Sequence, residues 1–300
     1  VAEDWFKIQI INLKKVTTMN TIKTAFAGLL TGAVLLSACT KSNDNDDFPA
    51  GDVPPTAGGY TASNQISPSN LIAFWNFNGD SVQDSVTNTA GTNAGMTFTA
   101  GLKGKALTGN PDATKKAYAT AVANDAVKAM TQYTVSCWVN TPQNVGATGI
   151  VGLGDTKNFW GNINIFFENG GTTTLARIKT IYGDNGATLD NNIQDIANGF
   201  NTWVQYLITY DGAGNFRSYV NGTLVRTNTV AGMGAIRFTN IGPIVFGALH
   251  FKTVPSSTTG SPGEDWAGYI PGKIDEVRIY NKALTSTEVS ALSILERQGR

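Results

Sequence analysis

The chain of 300 residues has one histidine and two cysteines. The side chain most used for proton transfer near neutral pH is therefore almost missing, and a disulfide framework is excluded. Charge is sparse too: only 15% of residues are Asp, Glu, Lys or Arg, with 22 of each sign. Without a basic excess there is no general positive field to hold a phosphate backbone, which argues against nucleic acid as a partner. No apolar run reaches the roughly 20 residues of a permanent membrane span. The lone His250 has no Ser-x-Gly elbow beside it and no second His or Cys at metal spacing, and no phosphate-cradling glycine loop leads into Lys-Ser or Lys-Thr. What the chain does have is 41% hydrophobic and 10% aromatic residues with 33 glycines, enough apolar surface for a core and a composition of short strands and turns.

From Met19 the sequence carries one Lys23, an apolar run over 25–36, then Ser37 and Ala38 ahead of Cys39. About a dozen apolar residues suit the core of a signal peptide over 19–38. Residues 1–18 then read as a start called too early, since they would give the signal a long front end containing Glu3 and Asp4. Leu36-Ser37-Ala38-Cys39 resembles the lipobox of bacterial lipoproteins. The resemblance implies cleavage before Cys39, acylation of that cysteine and attachment to the outer membrane, each buried CH₂ contributing about 0.8 kcal/mol. The alternative is a transmembrane or core helix ending in a buried cysteine. Residues 39–66 contain few apolar side chains, several prolines and acids at Asp44, Asp46 and Asp47, and read as a solvated tether. The acidic group partly resembles the tag that places some lipoproteins on the outer cell surface. Thr40 in place of an acid, and Lys41 without two acids directly behind it, depart from that pattern.

Residues 67–297 read as one all-β domain. Strand signals fall at 71–77, 133–140, 162–168, 174–182, 202–210, 216–227 and 272–280, separated by Gly, Asn and Asp. Asn221-Gly222 between two β-prone runs predicts a type I′ hairpin turn, because both residues tolerate positive φ. Period-two geometry puts Tyr133, Val135, Cys137 and Val139 on one face and Thr134, Ser136 and Trp138 on the other, making Cys137 a small core residue. The same periodicity puts Asp275 on the face of Val277 and Ile279. One helix is predicted near the end, with Thr285 and Glu288 forming a capping box before Val289, Leu292 and Leu295.

Five segments resemble the laminin-G-like branch of the concanavalin A-like lectin/glucanase superfamily: LIAFWNFNGDSVQDSVTNTAG from 71, GLKGKAL from 101, YTVSCWVN from 133, WVQYLITYDGAGNFRSYVNGTLV from 203 and GKIDEVRIYNKALTSTEV from 272. The resemblance implies a jelly-roll β-sandwich of two antiparallel sheets with a short C-terminal helix. It also implies a structural Ca²⁺ at the rim, and the matching oxygen donors are Asn78, Asp80, Asp84 and Asp275. The other reading of these residues is that Asp84 and Asp275 bond turn amides and loop hydroxyls.

A sugar site needs exposed aromatic faces beside amides and carboxylates. Phe159, Trp160, Tyr182 and Trp266 lie in or beside polar, Gly-rich segments and are the carbohydrate-binding candidates; the alternative is that each plugs an end of the sandwich. Trp75, Trp138 and Trp203 sit within strands and read as packing residues. A glycosidase of this superfamily would show acids alternating on one strand. Asp275-Glu276 and Glu264-Asp265 are adjacent pairs, and no Glu-x-Asp-x-x-Glu occurs, so no catalytic residue is assigned. The sequence points to a non-catalytic, lipid-anchored surface protein that binds extracellular or host polysaccharide, as an accessory to glycan uptake. A protein-interaction or adhesion module with envelope partners is the main alternative, and a divergent glycoside hydrolase the weaker one.

Overall fold

Runs of Val, Ile, Tyr, Phe and Trp interleaved with Thr, Ser and Asn fit a pleated surface buried on at least one face, and they pair accordingly. The computed structural model describes residues 55–144, 146–184 and 187–300. The leader 1–18, the signal segment 19–38, Cys39 and the first part of the tether lie outside the described residues. The strands are β1 (Leu71–Trp75), β2 (Gln83–Asp84), β3 (Thr89–Ala90), β4 (Thr92–Ala94), β5 (Thr97–Ala100), β6 (Lys105–Thr108), β7 (Tyr118–Ala121), β8 (Tyr133–Asn140) and β9 (Ala147–Asp155). They continue as β10 (Ile163–Phe167), β11 (Leu175–Asp184), β12 (Ala187–Ala197), β13 (Val204–Tyr210), β14 (Asn215–Val220), β15 (Thr223–Thr229), β16 (Ile241–Phe246), β17 (Ala267–Gly268) and β18 (Lys273–Tyr280). Two helices accompany them, α1 (Asp125–Ala129) and α2 (Ser286–Arg297).

The first sheet runs β15-β14-β13-β8-β18-β6-β5 with β1 also on β18, and the second runs β12-β11-β10-β9-β16-β7-β4 with β17 on β9. Both are eight-stranded. All pairings are antiparallel except the two-residue β17–β9 contact. The fold is the expected jelly-roll sandwich. Its core lies between the sheets, where Trp75 and Phe77 meet Phe246 edge-on and Tyr182 and Tyr210 pack on Phe216. Cys137 is in this core as expected, and burial pushes its thiol up to about 12. Asn221 and Gly222 both have positive φ, at 50° and 79°, and close the β14–β15 hairpin as predicted.

The outer face of the first sheet is covered by α2. Thr285 accepts from the Glu288 amide at 3.2 Å while Glu288 accepts from the Thr285 amide at 2.7 Å, the reciprocal cap read from the sequence. Beneath the helix Arg278 donates to Glu276 and to Glu296, each at 2.6 Å, and Glu296 also accepts from the Trp138 indole at 2.7 Å. All four side chains are buried, so one cation serves two carboxylates in the interior. Burial raises the Glu296 carboxyl to about 7 against the pull of Arg278.

Three expectations are corrected here. A bulge between Asp275 and Arg278, with Glu276 at φ 47°, breaks the period of β18. Ile274, rather than Asp275, therefore joins Val277 and Ile279 in the core. The expected tether is not solvated to residue 66: Ala57 and Ile66 pack into the cluster beneath α2, and Ser63 accepts from Arg278 at 3.4 Å. Finally, α1 escaped the sequence reading because five residues carry too short a period to register, although Asn124 caps its Val127 amide at 3.0 Å.

Candidate functional site

The outer face of the second sheet is apolar where Phe166, Ile181 and Ala147 point away from the core, and the chain folds back to cover it with Leu249, Phe251 and Ala267. Two turns hold this cover. Asp155 accepts from the amides of Lys157 and Asn158 at 2.8 and 2.9 Å, which curls the β9–β10 connection and delivers Phe159 and Trp160 onto the face. The Asn158 carbonyl then accepts from Thr258 at 2.8 Å and meets His250 Nε2 at 3.3 Å, stitching that turn to the 250–260 segment. Burial holds the His250 imidazole below its usual pKa, and the ring is a buried strut packed edge-on against Phe251. On the other side the Ala147 amide donates to the Trp266 carbonyl at 3.0 Å. Gly146 (φ 75°) is required there, since a Cβ would stand 2.6 Å from that carbonyl oxygen.

Three of the four expected aromatics converge. Trp160 stacks on Phe166 with ring centroids 5.6 Å apart, and Phe159 stacks on Phe251 at 5.0 Å. Trp266 leans on both, 6.3 Å from Phe159 and 6.2 Å from Trp160. Phe159 and Trp160 are half-buried, whereas Trp266 is 37% exposed and is the outermost ring of the group. Tyr182 does not belong with them. It is fully buried between the sheets against Phe216 and Tyr133, because its position in β11 faces the core, and it is not part of the aromatic cluster.

Beside Trp266 lies an open cleft of about 430 Å³. One wall is the exposed loop 113–116 ahead of β7, and the other is built from 251–254 and 262–269. Tyr118 and Tyr269 brace it: their rings stack at 6.2 Å, the Tyr118 hydroxyl exchanges bonds with the Val254 backbone at 2.8 and 3.0 Å, and Tyr269 donates to the Lys252 carbonyl at 2.8 Å. Lys116, Lys252 and Asp265 bring charged groups to its lining and Tyr269 a half-buried ring, while Phe251 is fully buried beneath it. Such a lining can hydrogen-bond the hydroxyls of a sugar. The sequence reading missed Phe251, Tyr269 and the two lysines. The available signal was the presence of Phe251, Trp266 and Tyr269 inside a Ser-, Thr-, Gly- and Pro-rich stretch, which has to fold onto something to bury them.

The residues expected to hold calcium are placed differently. Asn78 Oδ1 accepts from the Lys105 amide at 2.7 Å, Asp80 pairs with the Lys105 ammonium at 2.6 Å, and Asp275 Oδ2 accepts from the Leu102 and Lys103 amides at 2.9 and 3.1 Å. These three grip the 101–105 turn. Asp84 sits elsewhere, accepting from the amides of Phe74 and Val86 and from the Thr87 hydroxyl. Burial raises the Asp275 carboxyl to about 7 despite its amide partners. With an ammonium on one carboxylate and amides on the others, the donor set does not fit a hard dication. Among the described residues no group of three or more His, Cys, Asp or Glu could hold a metal ion.

Residues 113–290 match the family model of the concanavalin A-like lectin/glucanase superfamily. No curated protein matches the chain. Among solved structures, the binding domain of botulinum neurotoxin serotype G aligns with a TM-score of 0.54 at 20% identity, over 75% of this chain and 51% of that one. The binding domain of Paraclostridial Mosquitocidal Protein 1 gives 0.53 at 18% identity, over 75% and 52%. This chain thus spans about half the length of the toxin domains it matches. Domain 4 of AbnA, an extracellular arabinanase of Geobacillus stearothermophilus solved with arabinotriose, gives 0.52 at 21% identity, over 75% of this chain and 98% of that domain. At these identities the likeness is one of fold.

Proposed function

Because the chain belongs to the concanavalin A-like lectin/glucanase superfamily, we propose that it is a non-catalytic carbohydrate-binding protein that takes polysaccharide at the cleft beside Trp266. The observation that carries this reading is the convergence of Trp266, Phe159 and Trp160 on the outer face of the second sheet, with Trp266 standing in the chain between Asp265 and Ala267, which line an open cleft. The structural neighbours are binding domains rather than catalytic ones, which supports a non-enzymatic role. Lipid attachment at Cys39 and an outer-membrane, surface-facing location complete the proposal, with glycan uptake the process served. Calcium is left out of the proposal, since its expected ligands are engaged.

A broad glycan array probed with the purified protein, with and without chelator, tests the reading. Specific binding that survives chelation and drops at least about tenfold in Trp266→Ala is the expected result. Absence of sugar binding combined with capture of an envelope protein would favour the adhesion reading, and glycan turnover would favour the hydrolase.

A further inference from the structure

The turn that carries Trp266 has little packing to hold it. Of residues 262–268 only Ala267 is buried, and the turn is entered through Pro262 and Gly263, the latter at φ 123°. Hydrogen bonds fix it instead. The Glu264 carbonyl accepts from the Ala267 amide at 3.1 Å, which closes the turn, and the same oxygen accepts from the Lys252 ammonium at 2.6 Å. The Glu264 carboxylate accepts from Ser261 at 2.9 Å, and the Ser261 hydroxyl from the Gly263 amide at 3.1 Å, both bonds internal to the loop. Among the described residues, 263–266 are therefore tied by hydrogen bonds to the body of the domain at two points: Lys252 on the Glu264 carbonyl, and the Ala147 amide on the Trp266 carbonyl. Lys252 is itself firmly based. Its amide donates to the Leu249 carbonyl at 2.8 Å, its carbonyl accepts from Tyr269 at 2.8 Å, and it follows Phe251, which with Leu249 belongs to the buried cover of the second sheet. An ammonium on a carbonyl makes a charge-assisted bond, about twice as strong as a neutral one.

We infer that Lys252 is a positioning residue of the sugar site: it sets the placement of Trp266 through the Glu264 carbonyl and not by touching the glycan. This rests on the carbohydrate-binding reading above for the role of Trp266 and names the residue that presents that ring. Trp266 lies two residues beyond the carbonyl that Lys252 holds. Without the ammonium the turn is held at its Ala147 end alone, with Pro262-Gly263 as a hinge at the other, and the exposed ring samples other orientations. Apparent affinity then falls by the fraction of molecules whose ring is in place.

The test has two readouts on the purified protein. The first is isothermal titration of the strongest array glycan against wild type, Lys252→Met, Trp266→Ala and the double variant. Lys252→Met should bind about fivefold or more weakly. The double variant should bind no more weakly than Trp266→Ala alone, because a residue that acts only through Trp266 then has nothing to act on. Lys252→Arg, which keeps a charged donor, should recover most of the affinity. Lys252→Gln, polar but too short to reach the carbonyl, should behave as Lys252→Met does and guards against a folding defect of that variant. The second readout needs no glycan: acrylamide quenching of Trp266 emission, isolated by subtracting the spectrum of Trp266→Phe in each background, should be stronger in Lys252→Met than in wild type. Wild-type affinity in Lys252→Met, unchanged quenching, or losses that multiply in the double variant overturn the inference, the last by showing that Lys252 touches the glycan itself. No binding by wild type, or binding undiminished in Trp266→Ala, instead overturns the carbohydrate reading, and the quenching then decides by itself whether Lys252 sets the ring.

Discussion

Replacing Arg278 with Met isolates the strongest electrostatic commitment in the domain. Among the described residues Arg278 is the only cation paired with Glu276 and Glu296, both at 2.6 Å and both at most 1% exposed. Methionine fills much of the same space, so the change removes charge more than volume. It leaves two carboxylates in the interior with no counter-ion, and breaking a buried pair in this way costs about 3–5 kcal/mol. For a domain of this size that corresponds to a fall in Tm of roughly 8–16 °C. The pH dependence follows from the raised pKa of Glu296, at about 7 in the folded protein against 4.5 for the free group. A group whose folded pKa is raised contributes stability that is fully present below the unfolded value and is lost as pH rises through the folded one. Removing Arg278 takes away the charge that pulls the Glu296 carboxyl down, so its folded value rises further, and the deficit should be large at pH 8 and shrink toward pH 4.5. Denaturant unfolding followed by tryptophan fluorescence across that range measures it, with Trp138 reporting from within the network. A deficit below about 1 kcal/mol at pH 8, or one that does not shrink in acid, would refute the reasoning.

The single histidine makes an NMR titration unambiguous: His250 should titrate below 6.5 because burial disfavours its charged form, and the protein should lose stability as pH falls through 6.5. An imidazole midpoint at or above 6.5 would contradict the placement. Gly222→Ala puts a Cβ at φ 79° and 2.8 Å from the Ser293 Cβ on α2, so chemical denaturation should show a loss of about 1–3 kcal/mol. Chelator or added calcium should leave Tm unchanged, since the Asp80 carboxylate is held by Lys105 and those of Asp84 and Asp275 by amides; a calcium-dependent rise would reinstate the metal.

The hairpin at Asn221-Gly222, the Thr285 cap and the core position of Cys137 were legible because each depends on a few adjacent residues. The convergence of Phe159, Trp160 and Trp266 depends instead on a segment a hundred residues away folding over the second sheet. Only the aromatic content of those loops hinted at it. Tyr182 misled because the strand signal over 174–182 stops there beside a polar stretch, whereas β11 runs on to Asp184, and one residue of register decides whether it meets solvent or core. The bulge at Glu276 had the same effect on Asp275: strict alternation pointed it into the core, and one extra residue in β18 returned it to the 101–105 turn. Lys116 and Lys252 were invisible as a pair, since surface lysines are common and nothing in their spacing tells that they share a cleft.

The central claim is that glycan is bound on the outer side of the second sheet. Isothermal titration of the strongest array ligand against wild type, Trp266→Ala and, as a control on the first sheet, Leu224→Ser tests it most directly. The account predicts at least about a tenfold loss of affinity in Trp266→Ala with wild-type affinity in Leu224→Ser. Undiminished binding by Trp266→Ala, or loss confined to Leu224→Ser, would contradict it.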